Sequence, residues 1–233
     1  MQTVLVTGAG GGIGCALVRT LLAGNAYRVI AVTRPKPLAD DQALLDDCDS
    51  LVRKSFDLSS YSEMSKLEAY IAESEIDLDW LIIAHGFIDN ETVLEDQRPE
   101  DIFTTFQINI LSVIYMCQLF LRHVSKNGGI ICVSSTAGLV ANGRYAAYSA
   151  SKAAVNNFMQ ALARNRPTLS FFTVCAGPTR TPMLKKIGGD PAAAQDASVV
   201  GDVMLQILLR HTDYKSGDII VVRDGWITLG GRL

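Results

Sequence analysis

Apolar residues along this chain fall in short runs, separated by stretches with helical spacing. Gln2-Thr3-Val4-Leu5-Val6-Thr7 is brief and β-branched and reads as a buried strand. Ile13, Ala16, Leu17 and Leu21 then recur at the spacing of a helix that runs to about Ala23. The alternation repeats along the chain. Further strands are expected at 27–32, 51–56, 78–84, 130–135, 169–176 and 218–222. Helices are expected at about 59–73, 99–126, 145–164 and 198–210, with Asn127-Gly128-Gly129 turning the chain after the second of these. Strands apolar on both faces, alternating with helices, imply an α/β fold. It is a single doubly wound parallel sheet of about seven strands, with helices on both faces. No linker, repeat or low-complexity segment interrupts it, so residues 1–233 read as one domain.

Composition narrows the partners. The 233 residues are 48% hydrophobic and 19% charged, as in globular proteins, and a net charge of −3 offers no basic field to nucleic acid or an anionic membrane. No uncharged apolar run reaches the length of a membrane span, and the sequence enters a strand at once, without the pattern of a signal peptide. Cys15, Cys48, Cys117, Cys132 and Cys175 are scattered without a CxxC pair, which suggests reduced thiols and a cytoplasmic setting. No metal site is expected.

In doubly wound sheets, ligands bind beyond the carboxyl ends of the strands. The first such end reads Thr7-Gly8-Ala9-Gly10-Gly11-Gly12-Ile13-Gly14, with five glycines in eight residues. Glycine costs backbone entropy on folding, so this density needs a reason beyond packing. A strand-to-helix turn free of side chains aims backbone N–H groups and the positive end of a helix dipole at one spot, where a phosphate can approach closely. No register of GxGxxG fits; TGxxxGxG does, on Thr7, Gly8, Gly12 and Gly14. A second candidate is Tyr148-Ser149-Ala150-Ser151-Lys152. Residues four apart share a helix face, so the phenol and the ammonium can meet in one pocket. A nearby ammonium favours the phenolate, which suits a tyrosine to acid–base work. Alone, YxxxK also fits an ordinary amphipathic helix.

In order and spacing, these motifs resemble the short-chain dehydrogenase/reductase family of the classical type over nearly the whole chain. The resemblance implies a Rossmann-type fold and reversible hydride transfer between a nicotinamide cofactor and a carbonyl or alcohol. It implies a catalytic set of Asn109, Ser135, Tyr148 and Lys152, with Ser135 placed 13 positions ahead of Tyr148 as expected. Tyr148 exchanges the proton, Ser135 steadies the substrate oxygen, Lys152 supports Tyr148 and holds the nicotinamide ribose, and Asn109 holds a relay water. Implied cofactor contacts are Gly8, Gly12, Ile13, Gly14, Thr33, Arg34, Asp57, Leu58, Gly86, Tyr148, Lys152, Gly177 and Thr181. Two departures stand out. The family's NNAG reads Ile83-Ala84-His85-Gly86 here, leaving His85 either as a substrate-side polar group or as filler beside the cofactor. The family's PG reads Ala176-Gly177-Pro178, with the proline moved by one place.

An acid at the end of the second strand binds the ribose hydroxyls of NAD. Thr33 stands there, followed by Arg34 and then Lys36. A guanidinium suits a 2′-phosphate, so NADP(H) is expected in preference to NAD(H), which stays the second choice. Phe87, Val140, Asn142, Tyr145, Pro178, Met183 and Leu184 suggest mostly apolar substrate walls, with a short lid over 181–197. The expected substrate is a small uncharged carbonyl or alcohol. An alternative is a non-catalytic NADP-sensing regulatory protein, which would have no need of all four catalytic residues. An epimerase or dehydratase would need a larger C-terminal substrate region. Ile110, Val113, Ile114, Met116, Leu119 and Phe120 exceed what one helix face needs against a sheet, which suggests a homotetramer or homodimer.

Overall fold

The computed structural model describes residues 1–24, 26–35, 48–89, 93–210, 213–224 and 226–230. Strands β1 (Gln2–Thr7), β2 (Tyr27–Thr33), β3 (Leu51–Ser55), β4 (Leu78–Ile83), β5 (Val124–Ser135), β6 (Ser170–Ala176), β7 (Ile219–Arg223) and β8 (Trp226–Gly230) form one sheet in the order β3-β2-β1-β4-β5-β6-β7-β8. The first seven are parallel, and β8 returns antiparallel on β7, an eighth strand beyond the expected seven.

Each inner strand is buried on both faces because successive side chains point to opposite sides. Val4 and Val6 join one core and Leu5 the other; Trp80 and Ile82 oppose Leu81 and Ile83 in the same way. Helices α1 (Gly12–Ala23) and α7 (Ala197–Leu208) cover the first face. They approach closely at Gly201, where a Cβ would lie 3.3 Å from the Leu17 nitrogen. The second face is covered by α2 (Tyr61–Glu73), α3 (Pro99–Phe106), α4 (Ser112–Phe120) and α5 (Ala146–Asn165).

Two expectations change here. The stretch 127–129 is not a free turn but part of β5. Leu78 pairs with Val124 and Trp80 with Gly129, so the extra residues bulge between those pairs. Side chains at Gly128 and Gly129 would overlap the Asp79 and Ser170 carbonyl oxygens, so the neighbouring strands leave no room for anything larger. The helical run ends accordingly at His123, not Lys126. Second, the surplus of apolar residues on that run is taken up inside the chain: Ile110, Val113, Met116, Leu119 and Phe120 are buried. Left exposed are Phe103 and Leu111. By length and composition alone, Pro99–His123, which contains an 18-residue window of mean hydropathy 1.4, could cross a membrane. In this fold it packs against the sheet, α2 and α5.

This run is not uniform. Between α3 and α4, Gln107–Leu111 forms a π turn, a feature that often marks a functional site. Asn109 sits at its centre.

Candidate active site

From β1 the chain builds outward to β2 and β3, then crosses back to β4 and builds the other way. The carboxyl ends of β1 and β4 therefore flank the switch point. Gly8 follows β1 with φ +66, and a Cβ there would lie 2.7 Å from the His85 nitrogen and 2.8 Å from the Ala84 carbonyl. Side chains at Gly14 and Gly12 would overlap the Gly8 carbonyl oxygen and Thr181 respectively. The glycines let the turn pack directly against the end of β4, Thr181 and its own backbone. Helix α1 begins behind it with Gly11 as N-cap, no capping side chain and no acid in its first turn. Its first N–H groups, Gly12 and Ile13 among them, lack partners within the helix and carry the positive end of the dipole. This geometry fits the diphosphate of a dinucleotide.

The catalytic candidates converge from β4, the π turn, β5 and α5. Asn109 is fully buried. Its Oδ1 accepts from the Phe87 N–H at 2.7 Å, and its Nδ2 donates to the Phe87 carbonyl at 2.8 Å and to Ser151 Oγ at 3.0 Å. Its side chain thus braces the loop after β4 against α5. Lys152 is 5% exposed, and its Nζ donates to the Val133 carbonyl at 3.2 Å. The same Nζ lies 5.8 Å from the centroid of the Tyr148 ring, so the two side chains lie on one side of α5. A Cβ on Gly86 would lie 3.4 Å from both Asn109 Oδ1 and Lys152 Nζ, so Gly86 forms the adjoining wall.

Helix α5 is clamped to the end of β5. Ser134 Oγ donates to the Lys152 carbonyl at 3.2 Å, and Asn156 Nδ2 to the Gly138 carbonyl at 3.2 Å. A Cβ on Gly138 would lie 2.7 Å from the Lys152 carbonyl carbon. These contacts hold Ser135, whose Oγ accepts from the Ala137 N–H at 3.2 Å, in register with Tyr148. The sequence placed Ser134 beside Ser135 at the strand end without a role for it and did not single out Asn156, whose Oδ1 also accepts from Cys175 Sγ at 3.5 Å.

Other predicted contacts are distributed along the rim. Thr181 caps the short helix α6 (Pro182–Lys186), its Oγ1 accepting from the Leu184 N–H at 3.2 Å, and its side chain abuts Gly12. Gly177 closes β6: its N–H donates to the Val222 carbonyl at 2.8 Å, and a Cβ would meet Arg223 at 2.9 Å. Thr33, Arg34, Asp57 and Leu58 lie at the ends of β2 and β3, away from Tyr148 in strand order. Thr33 Oγ1 reaches the Lys54 carbonyl at 3.5 Å, and Arg34 is exposed. Asp57 Oδ1 accepts from the Ser59 N–H at 2.9 Å and its hydroxyl at 2.7 Å. The Leu58 side chain is buried in the core, so a cofactor contact from Leu58 would have to use its backbone. Lys36 lies outside the described residues.

His85 is held by two hydroxyls of the protein. Its Nδ1 is 2.8 Å from Thr7 Oγ1 and its Nε2 is 2.7 Å from Ser112 Oγ. Both ring nitrogens are thus engaged within the protein. Burial, and then the Lys152 charge, push its pKa down to about 3, so the ring stays neutral. Burial likewise raises the Cys132 thiol to about 12 and Cys175 to about 11, which keeps both protonated and removes them as nucleophiles.

Comparison with known proteins agrees with this fold. The family model described as short chain dehydrogenase matches residues 2–192. Carbonyl reductase family member 4 of Danio rerio is 26% identical over 240 residues, covering 96% of this chain and 97% of its own. Among solved structures, a short chain dehydrogenase from Burkholderia cenocepacia in complex with NADP superposes with a TM-score of 0.80 at 21% identity, over 96% of this chain and 97% of the other. The 3-ketoacyl-(acyl-carrier-protein) reductase of Brucella melitensis complexed with NADH does so with a TM-score of 0.82 at 19% identity, over 96% and 97%.

Proposed function

The chain belongs to the short-chain dehydrogenase family, and on that premise we propose that it is an NADP(H)-dependent oxidoreductase acting on a small uncharged carbonyl or alcohol, chiefly as a carbonyl reductase. The observation that carries this reading is that Lys152 Nζ lies near both the Tyr148 ring and Gly86, while Gly8 packs against the adjoining His85 backbone and Ser134 ties the end of β5 to the Lys152 carbonyl. When bound, the nicotinamide supplies or accepts the hydride. The protein's own part is position and proton handling. Gly8, Gly12, Ile13 and Gly14 take the diphosphate, with Thr181 above them, while Gly86 and Gly177 let backbone approach the cofactor. Lys152 holds the nicotinamide ribose. Ser135 donates to the substrate oxygen as charge develops there, and Tyr148 gives the proton in reduction and takes it in oxidation. Asn109 keeps the π turn and the loop after β4 in place around them. Asp57 and the Leu58 backbone serve the adenine.

The name of the Danio rerio relative points toward carbonyl substrates, and the two structural neighbours hold NADP and NADH respectively. Arg34 favours the phosphorylated cofactor, since no acid stands at Thr33 to bind ribose hydroxyls or repel a 2′-phosphate. Residues 181–197 act as the substrate lid, and the reducing cytoplasm is the proposed compartment, in keeping with four buried free thiols. Turnover of a panel of uncharged ketones and aldehydes with NADPH tests the activity; no turnover of any member with either cofactor would overturn it. A charge-assisted contact is worth roughly 1.5–3 kcal/mol, so NADPH should be favoured over NADH by about tenfold to a hundredfold. Arg34→Ala should raise KM for NADPH by a similar factor and leave NADH unchanged. Equal kcat/KM for both cofactors in the wild-type protein would remove Arg34 from this role.

We also propose a homo-oligomer, a dimer or tetramer. With most of the helical run buried in the monomer, support now rests on Phe103 and Leu111, which are 64% and 38% exposed on it. Light scattering at micromolar concentration should give a multiple of 25.2 kDa; a monomeric mass would reject the assembly.

A further inference from the structure

The ring of His85 lies between two hydroxyls from distant parts of the chain, and the directions of its bonds can be worked out. Ser112 Oγ donates its one proton to the Ile108 carbonyl at 2.6 Å. It can then only accept from His85, so Nε2 carries the ring proton across the 2.7 Å contact. Nδ1 is left with a lone pair and accepts the Thr7 hydroxyl at 2.8 Å, a shorter path for that proton than the Ile82 carbonyl at 3.3 Å. Thr7 Oγ1 in turn accepts from the Ala84 N–H at 3.2 Å. The result is a single-direction chain: Thr7 O–H to His85 Nδ1, His85 Nε2–H to Ser112 Oγ, and Ser112 O–H to the Ile108 carbonyl.

Each end of that chain adjoins the site. Thr7 precedes Gly8, whose backbone is pressed against Ala84 and His85. Ile108 and Ser112 bracket Asn109 and Leu111 in and beside the π turn. Gly86, next to His85, is the wall facing Lys152 Nζ and Asn109 Oδ1. A side chain that only filled space would not need a hydroxyl on each nitrogen, and one that met substrate would keep a nitrogen for it.

We propose that His85 is a positioning residue that ties the glycine turn after β1 to the π turn carrying Asn109, so that the two halves of the nucleotide site are held at a fixed separation across the switch point. The proposal rests on the reading of this site as a nicotinamide nucleotide site. A neutral ring is what the chain of bonds requires, since a protonated ring would present a donor to Thr7 and reverse its hydroxyl. The low pKa of His85 agrees with that requirement.

The test begins with the protein free of cofactor. Nitrogen-15 NMR of the imidazoles, assigned by loss of signals in His85→Phe, should show one neutral tautomer protonated at Nε2, unchanged from pH 8 to pH 5. Ser112→Ala should break the uniqueness of that tautomer. Binding of NADPH, followed by fluorescence, should weaken by roughly two- to tenfold in His85→Phe and in Ser112→Ala, as expected for a lost neutral hydrogen bond. The double variant should be no worse than His85→Phe, because both changes cut one chain. An Nδ1–H tautomer, a ring that titrates in that pH range, or NADPH affinity untouched in Ser112→Ala would overturn the role of His85 while leaving the nucleotide site standing. Failure of the wild-type protein to bind either NADPH or NADH would overturn the nucleotide-site reading and the positioning role with it.

Discussion

Tyr148→Phe is expected to lower kcat by about 10²–10⁴-fold, the usual worth of a positioned general acid–base group, while NADPH affinity stays at its wild-type value. The substitution keeps the ring, and with it the packing of a residue only partly buried on α5. It also keeps the 5.8 Å approach of Lys152 Nζ to the ring centroid. What it removes is the one transferable proton. Steady-state turnover with the best ketone of the panel, together with a fluorescence titration of NADPH, separates the two quantities. Retention of more than about a tenth of kcat would show that another group supplies the proton.

Lys152→Met should be comparably severe but should act on both binding and turnover. Methionine fills the buried stem of a side chain that is only 5% exposed, so the fold has no large cavity to absorb. The ammonium is lost, and with it both a charge-assisted hold on the ribose and support for the Tyr148 phenol. At roughly 1.5–3 kcal/mol for each such contact, kcat/KM should fall by about 10²–10⁴-fold, shared between a higher KM for NADPH and a lower kcat. A thermal melt guards against trivial unfolding, since the Val133 carbonyl loses its 3.2 Å partner. A folded variant with wild-type kcat would restrict Lys152 to the ribose.

The sheet was legible because its inner strands are apolar on both faces, a pattern that short helices do not produce. The approach of Lys152 to Tyr148 was legible because a spacing of four on a helix leaves little geometric freedom. What was not legible depended on partners far along the chain. Trp226–Gly230 becomes a strand only by pairing with β7, and its exposed Trp226, Ile227 and Leu229 give no alternation of burial to read. The π turn leaves no period in five residues; the bonds of Asn109 to Phe87 and Ser151 accompany it. The apolar run on 99–123 suggested an interface because a sheet covers only one side of a helix. Here α2 and α5 cover other sides as well. His85 could be seen to follow a strand, but its partners Thr7 and Ser112 stand 78 and 27 positions away.

The crossover at the centre of the sheet also bears on how the chain comes together as it is made. β1 pairs with β2 on one side soon after synthesis, but on the other it must wait for β4, and the Thr7–Ile82 contact closes a separation of 75 residues. Contacts of that range are slow to form, because the intervening chain loses its freedom before the pairing repays it. Until β4 arrives, one edge of β1 stays unpaired and apolar, a template for the wrong partner. A site built across that seam cannot form before β4 has been made. A ligand that grips both sides of the seam would act on assembly as well as on catalysis, by drawing the late pairing toward completion.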